Sequence, residues 1–202
     1  MTRIKLCGLT RPCDIEAVNI LEPEYIGFVF APKSKRYVTH DQATGLKHQL
    51  SPGITVVGVF VNETPETVVY LLSSGIIDIA QLHGSESETY IKNLRQLTAK
   101  PIIKAFRIKT ANDIAKAVSS SADYVLLDSG AGTGTVFEWN LIQNIKRPYF
   151  LAGGLTPANV GPAIRTLSPF AVDVSSGIET SGLKDKTKMA AFIAAVRKED
   201  SI

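Results

Sequence analysis

The chain has 202 residues, of which 45% are hydrophobic and 20% charged, and its formal net charge is +3 at pH 7. This length predicts one domain with a substantial core, and the composition excludes a disordered or low-complexity chain. The scattered Lys and Arg residues argue against nucleic-acid binding, whereas the small positive charge suits a small anionic substrate. We also expect a cytoplasmic protein without membrane association, because no apolar run reaches bilayer length and no signal-peptide pattern precedes the first strand.

The cysteine and histidine residues predict no metal site. Cys7 and Cys13 are too few for a disulfide framework, and no CxxC or Cys/His cluster has the spacing of metal ligands. Cys13 lies on the first predicted helix, where we expect it to be part of the core or chemically inert. His40 and His48 fall in the second predicted helix and are expected at the surface.

Eight short β-rich apolar runs alternate with stretches of helical period, which is the pattern of a parallel sheet. The predicted strands are Arg3–Cys7, Tyr25–Phe30, Ile54–Val61, Ile77–Leu82, Pro101–Arg107, Tyr124–Asp128, Tyr149–Ala152 and Ala171–Val174. The predicted helices are Pro12–Leu21, His40–Gln49, Pro65–Ser74, Glu86–Leu97, Ala111–Ser120, Asn140–Ile145, Pro157–Leu167 and Lys186–Arg197. Start signals such as Thr64 before Pro65 support the helix assignments.

Eight strand–helix units predict an α/β protein with a single-domain closed (β/α)8 TIM barrel over residues 1–202. An open doubly wound sheet is the alternative, but it would leave two exposed edges. That fold also usually carries a glycine-rich fingerprint after its first strand, where this chain has Cys7-Gly8-Leu9-Thr10. The barrel is therefore favoured.

Active sites of this fold lie at the carboxyl ends of the strands, so the polar residues there are the candidates. The candidates are Cys7, Ser34, Lys35, Arg36, Asn62, Gln81, His83, Arg107, Asp128 and Asp173. Each one alone has a structural explanation. A single strand cysteine is usually a small core residue, a single histidine a satisfied hydrogen-bonding group, and a strand-end aspartate a helix N-cap.

Two loops carry a pattern typical of phosphate binding. "LAGGLTP" places Gly153 and Gly154 after the seventh strand, and "DVSSGIE" places Ser175, Ser176 and Gly177 after the eighth. Small residues let backbone N–H groups approach an anion, and these two loops commonly bind phosphate in this fold. The alternative is that the glycines only form tight turns.

Several segments, in order along the chain, carry a family resemblance. They are "KLCGLT", "GFVFAPKSKRYV", "VGVFVN", "QLHG", "LLDS" with "GTGTVFEW", "LAGGLTPANV" and "DVSSGIETSGLKD", which together run from residue 5 to residue 185. This ordered set resembles the phosphoribosylanthranilate isomerase family. One departure is Lys35, where the family often has proline, and this change affects the stiffness of the second loop.

The resemblance implies a compact, cofactor-free barrel that catalyses an Amadori rearrangement in tryptophan biosynthesis, converting N-(5-phosphoribosyl)anthranilate into 1-(2-carboxyphenylamino)-1-deoxyribulose 5-phosphate. Carried over by motif, Cys7 is the general base and Asp128 the general acid. Arg36 would bind the anthranilate carboxylate, because a guanidinium can grip a carboxylate with two hydrogen bonds; the alternative is a solvated loop arginine with a salt bridge at the rim. Gln81, His83 and Asp173 would line the substrate site, and we expect no obligate protein partner.

Two further expectations concern the surroundings of these residues. Strand alternation points Lys5 into the barrel below Cys7, so Lys5, balanced by Asp173, is a candidate for setting the electrostatics of the thiol. The alternative is a purely structural buried ion pair. The glycine-rich segment "DSGAGTGTVFEW" is expected to be either a lid that closes over the substrate or a static loop.

Three other functions are weighed against the isomerase. A pentose-phosphate epimerase needs metal ligands at strand ends, which the sequence does not supply. The histidine-pathway aminoaldose isomerase uses an aspartate where this chain has Cys7. A non-catalytic phosphate-binding barrel has no use for both Cys7 and Asp128, so it too is disfavoured.

Overall fold

The computed structural model describes residues 1–128, 142 and 145–201, and its centre is a closed barrel of parallel strands. Each strand pairs with the next along the chain, and the last pairs with the first. The barrel strands are β1 (Arg3–Cys7), β2 (Tyr25–Val29), β3 (Thr55–Phe60), β4 (Ile79–Leu82), β5 (Ile102–Arg107), β6 (Tyr124–Asp128), β7 (Tyr149–Ala152) and β8 (Ala171–Val174).

Helices surround the barrel, and a small hairpin follows its last strand. The helices are α1 (Pro12–Leu21), α2 (His40–Lys47), α3 (Pro65–Ser73), α4 (Glu88–Leu97), α5 (Ala111–Ser119), α6 (Val160–Leu167) and α7 (Lys186–Glu199). After β8 come a 3-10 turn, Ser176–Ile178, and an antiparallel hairpin of β9 (Glu179–Thr180) and β10 (Leu183–Lys184).

The strands are buried on both faces, which explains their continuous apolar sequences. In β3, Thr-Val-Val-Gly-Val-Phe is buried in all but its first residue. Val57, Ile103, Leu126 and Phe150 pack inside the barrel, while the other face of the strands packs on the helices. The alternation of inward and outward side chains therefore places odd-numbered residues of β1 inside, Cys7 among them.

Several of the helices begin where a side chain caps their free N–H groups. The hydroxyl of Thr64 accepts from Thr67 N at the start of α3, and the Asp185 carboxylate accepts from Thr187 N and Lys188 N at the start of α7. These caps fix where each loop leaves the barrel rim and enters its helix.

The predicted barrel is confirmed and the open sheet is excluded. Most element ends agree with the prediction within two residues, but α6 begins at Val160 instead of Pro157 because Asn159 binds back to Thr156 N and Gly154 O in a turn. Most of the predicted helix Asn140–Ile145 lies outside the described residues, as does the predicted lid from residue 129 onward. No helix in the described part of the chain is long and apolar enough to cross a membrane.

Candidate active site

A cavity of about 310 Å³ opens at the carboxyl end of the barrel, where the sequence places the functional residues. Among its lining residues are eleven of the predicted candidates: Cys7, Ser34, Arg36, Gln81, His83, Asp128, Gly153, Gly154, Asp173, Ser175 and Ser176. Gly177 lies beside this lining, packed against the seventh loop. The structure thus brings together residues that are up to 169 positions apart in sequence.

Cys7 ends β1 with its side chain in the cavity wall and its surface 8% exposed. On the neighbouring strand its partner is Gly27, and a Cβ at that position would lie 2.7 Å from the Cys7 sulfur. Glycine is therefore needed at residue 27 to leave room for the thiol. This close approach positions the sulfur at the wall of the cavity.

The charges around Cys7 act in opposite directions. Burial raises the pKa of the Cys7 thiol above its ordinary value, and the Asp173 carboxylate acts in the same direction. The ammonium groups of Lys5 and Lys184 lower this pKa, but by less than burial and Asp173 together raise it. The thiol form is therefore favoured.

Lys5 lies inside the barrel and is fully buried, as strand alternation predicts. Its Nζ is 2.9 Å from Asp173 Oδ1, and the two residues are register partners across β1 and β8. Burial disfavours the Lys5 ammonium, but Asp173 and Cys7 together raise the pKa of Lys5 above its ordinary value. The expected ion pair is present, and its influence on Cys7 stays a prediction.

On the side of the cavity away from Cys7, three side chains contact one another in a row, Gln81, His83 and Asp128. Gln81 Nε2 lies 2.8 Å from His83 Nδ1, and His83 Nε2 lies 3.5 Å from Asp128 Oδ2. Gln81 is 1% exposed, whereas the Asp128 side chain is 24% exposed and accessible from the cavity. The sequence predicts that these residues line the site, but their mutual contacts are visible only in the structure.

Arg36 lies in the loop after β2, where its guanidinium is held by a carboxylate. Arg36 Nε donates to Glu179 Oε1 at 2.6 Å, and Nη2 donates to Glu179 Oε2 at 2.8 Å. This double hydrogen bond raises the pKa of Arg36. The stem of Arg36 packs over Gly8, where a Cβ would lie 2.4 Å from Arg36 Cδ.

The seventh and eighth loops interlock at the cavity rim. Gly153 and Gly154 adopt φ values of +99° and +63°, a region that glycine enters without strain. A Cβ on Gly177 would lie 1.9 Å from the carbonyl oxygen of Leu155, so the two loops touch backbone to backbone. The two loops form one continuous wall of small residues.

Sequence reasoning missed Glu179 and Lys184. Lys184 Nζ, on a side chain only 2% exposed, donates to Glu179 Oε1 at 2.6 Å and to Ser175 O at 2.9 Å. Burial lowers the pKa of Lys184 in spite of the Glu179 carboxylate. The signal that could have found them is Ser181-Gly182, a two-residue turn that predicts a hairpin and places these two residues opposite each other.

Three predictions concern residues outside the cavity. Cys13 is exposed, so it is not part of the core, because α1 turns this position toward solvent. His40 and His48 are exposed, as predicted. Among the described residues, no group of three or more His, Cys, Asp or Glu side chains could hold a metal ion.

A closed (β/α)8 barrel whose cavity, at the carboxyl end of its strands, brings titratable side chains opposite a wall of small residues is typical of the (β/α)8-barrel enzymes. A family model described as N-(5'phosphoribosyl)anthranilate (PRA) isomerase matches residues 4–195. The chain belongs to this family.

Curated relatives and solved structures agree over the full length. N-(5'-phosphoribosyl)anthranilate isomerase of Endomicrobium trichonymphae is 40% identical, covering 98% of this chain and 99% of the relative. The enzyme of Lacticaseibacillus paracasei is 44% identical, with 100% and 98% covered. A crystal structure of phosphoribosyl anthranilate isomerase from Thermotoga maritima superposes with a TM-score of 0.90 at 35% identity, and both chains are covered completely.

One further solved structure carries a ligand. It is a phosphoribosyl anthranilate isomerase in complex with reduced 1-(o-carboxyphenylamino)-1-deoxyribulose 5-phosphate, at 36% identity and a TM-score of 0.88, covering 98% of this chain and all of the other. The prediction of an isomerase of this family, acting in tryptophan biosynthesis, is confirmed. The epimerase and the histidine-pathway isomerase are excluded as families for this chain.

Proposed function

We propose that this chain carries out the Amadori rearrangement of N-(5-phosphoribosyl)anthranilate with Cys7 as general base and Asp128 as general acid. The observation that carries the proposal is that both groups line one cavity, from β1 and from β6, which lie three strand positions apart around the barrel. Acid and base can then act on one substrate from different sides.

The reaction needs two positioned proton transfers. Asp128 protonates the ring oxygen as its bond to C1 breaks, which opens the sugar to a Schiff base. Cys7 then removes the C2 proton to give an enolamine. C1 takes up a proton and the C2 hydroxyl gives one up as the ketone forms, so no electrons enter or leave the enzyme.

In the proposed mechanism, the acid is oriented by the row of contacts that runs from Gln81 through His83 to Asp128. When Gln81 Nε2 donates to His83 Nδ1, the neutral imidazole carries its proton on Nε2, which faces Asp128 Oδ2. When the amide is flipped, Nδ1 becomes the donor and Nε2 can accept from a protonated Asp128. By setting the tautomer of His83, Gln81 therefore provides a hydrogen-bond partner for both the charged and the protonated state of Asp128.

The two ends of the substrate are bound at separate places. Arg36 binds the anthranilate carboxylate, and the wall of Gly153, Gly154, Ser175, Ser176 and Gly177 binds the phosphate. The support is that this wall offers backbone N–H groups without bulky side chains, in the loops where the fold binds phosphate. A relative's bound ligand, reduced 1-(o-carboxyphenylamino)-1-deoxyribulose 5-phosphate, carries both anionic groups. Asp173 lines the same cavity and neutralises the charge of the buried Lys5.

We place the activity in the cytoplasm and in one barrel domain over residues 1–202. The composition and the net charge of +3 support a small-molecule enzyme that works without nucleic acid, membrane or an obligate protein partner.

The test is an assay of substrate consumption by the wild-type chain, Cys7→Ala and Asp128→Asn. Each substitution removes a proton-transfer group, so kcat should fall by roughly 10²- to 10⁴-fold while the circular dichroism spectrum is unchanged. Cys13→Ser, which alters an exposed thiol, is the matched control and should keep full activity. An inactive wild-type chain, or full activity in both variants, contradicts the proposal and favours the non-catalytic barrel.

A further inference from the structure

The hairpin β9–β10 joins three parts of the site that are distant in sequence. Glu179 on β9 and Lys184 on β10 are direct partners across the hairpin, which turns at Ser181 and Gly182 with φ values of +53° and +80°. From these two residues, hydrogen bonds lead to Arg36, to the eighth loop and to the strand that carries Cys7.

Glu179 holds one particular edge of the Arg36 guanidinium. A guanidinium offers two edges that can each bind a carboxylate with two parallel hydrogen bonds, the Nε–Nη2 edge and the Nη1–Nη2 edge. Glu179 occupies the first of these through both of its oxygens. Arg36 lines the cavity with its side chain 30% exposed, and its Nη1 donates to no side chain or backbone group in the described residues.

Lys184 ties this pair to the phosphate wall and to β1. Its ammonium group donates to Glu179 Oε1 and to both the carbonyl oxygen and the hydroxyl of Ser175, the last at 3.2 Å. The Ser175 hydroxyl in turn donates to the Cys7 carbonyl oxygen at 3.0 Å. One buried ammonium group therefore fixes Glu179 relative to the eighth loop and the end of β1.

We infer that Glu179, anchored by Lys184, is a positioning residue that holds Arg36 by its Nε–Nη2 edge and presents the Nη1–Nη2 edge to a substrate carboxylate. The Glu179 carboxylate also meets two cations, so the group Arg36–Glu179–Lys184 keeps a net charge of +1 for the anionic ligand. This inference rests on the proposed carboxylate-binding role of Arg36.

The test compares two inhibitors, reduced 1-(o-carboxyphenylamino)-1-deoxyribulose 5-phosphate and its phenylamino counterpart without the carboxylate. Wild-type protein should bind the carboxylated compound more tightly by calorimetry. In Glu179→Gln this preference should fall about tenfold, because Arg36 is no longer held by a charged partner. The affinity for the second compound should stay within twofold.

Matched variants separate a positioning role from general damage. Glu24→Gln breaks a similar carboxylate–guanidinium pair, with Arg197 at the amino end of the barrel, and should leave the preference unchanged. Lys184→Arg should retain most of the preference and Lys184→Met should lose it.

The outcomes distinguish this inference from the proposed function. If Arg36→Met abolishes the preference while Glu179→Gln keeps it, the positioning role is wrong and the role of Arg36 stands. If Arg36→Met itself keeps the preference, the proposed carboxylate site is wrong, and the inference falls with it.

Discussion

Cys7 is the proposed base, and its surroundings favour its protonated form. Burial and Asp173 together raise the pKa of its thiol more than the two lysines lower it. An ordinary thiol near pKa 8.5 is already only a few per cent ionised at pH 7, so we expect the lysines to limit a further loss of thiolate. The thiolate is the form that can remove the C2 proton.

Lys5→Met tests whether the buried lysine tunes the thiol. Removal of the ammonium leaves burial and Asp173, both of which raise the pKa of Cys7, so the pH at which alkylation by iodoacetamide becomes fast should move upward. kcat/KM at pH 7 should fall in parallel. The measurement uses a Cys13→Ser background, because Cys13 is exposed and would also react.

Lys47→Met is the control for Lys5→Met. Lys47, on α2, is also a lysine in an ion pair, with Asp78, but it does not line the cavity. An alkylation profile equal to that of the control would leave Lys5 a purely structural ion-pair partner. If Lys5→Met does not fold, the double variant Lys5→Met/Asp173→Asn removes both buried charges, and its profile is compared with that of Asp173→Asn alone, because Asp173 itself raises the pKa of Cys7.

The sequence could predict which residues meet at the rim but not how they pair. Strand ends and alternation suffice to place Cys7, Gln81 and Asp128 around one opening, because the barrel geometry fixes where such positions lie. Arg36 and Glu179 are 143 residues apart, and no local pattern links them. Their pairing depends on the path of two loops, which periodicity does not encode.

The wall proposed to bind the phosphate depends on contact between the seventh and eighth loops. Gly177 approaches the Leu155 carbonyl so closely that any side chain at residue 177 must push the backbones apart. Backbone atoms cannot yield as the end of a flexible side chain can. The spacing of N–H groups in this wall is therefore set by one glycine.

Gly177→Ala should weaken phosphate binding with little effect on the fold. The separated loops should raise KM about tenfold or more, and the inhibition constant of inorganic phosphate should rise with it, as is typical when a positioned group shifts by about 1 Å. Steady-state kinetics measure both. Gly45→Ala in α2, where a Cβ meets open space, should leave KM unchanged and serves as the control.

An unchanged KM in Gly177→Ala would mean that the phosphate lies elsewhere in the cavity. A loss of folding detected by circular dichroism would require Gly154→Ala instead, since open space surrounds its Cβ position but its φ of +63° disfavours any side chain.

The predicted elements agree with the structure wherever local signals decide the outcome. The bounds of β1, β6 and α1 match the prediction, because apolar runs and Pro12 mark them. The predicted start of α4 at Glu86 is two residues early. The Glu86 carboxylate instead accepts from Asn62 N and Gly84 N, and Ser87 caps the helix.

The stability of the entire fold depends in part on a buried ion pair that joins β5 to the loop that carries His83. Lys104 Nζ is 2.8 Å from Glu86 Oε2, and the two side chains are 6% and 1% exposed. Although burial opposes its ionisation, hydrogen bonds from Lys104 and from backbone N–H groups hold the pKa of Glu86 below its ordinary value. The ionised Glu86 carboxylate therefore stabilises the fold at pH values above its pKa in the unfolded chain. This stabilisation is lost as the pH falls through the lower pKa of Glu86 in the folded protein.

Glu86→Gln should destabilise the fold by about 3 kcal/mol at pH 7, because it leaves the Lys104 ammonium buried without its carboxylate. Urea unfolding at pH 7 and pH 3 measures the effect. Wild-type stability should fall between these pH values, since the ordinary Glu pKa is about 4.3, and the variant should fall less. Glu24→Gln, whose pair is more exposed, should lose under about 1 kcal/mol. If the stability of the wild type and of Glu86→Gln depended equally on pH, Glu86 would not be the group whose ionisation stabilises the fold.

The pairing of β8 with β1 has a consequence for how the chain folds. Lys5 meets Asp173 across this boundary, and Cys7 meets Ser175, each pair 168 positions apart. During synthesis, β1 cannot pair along this edge until β8 has left the ribosome. Contacts between residues so far apart in sequence form late in folding. Half of the proposed active site is therefore assembled in the step that closes the ring, and a partly folded barrel that lacks this step has no formed pocket around its thiol.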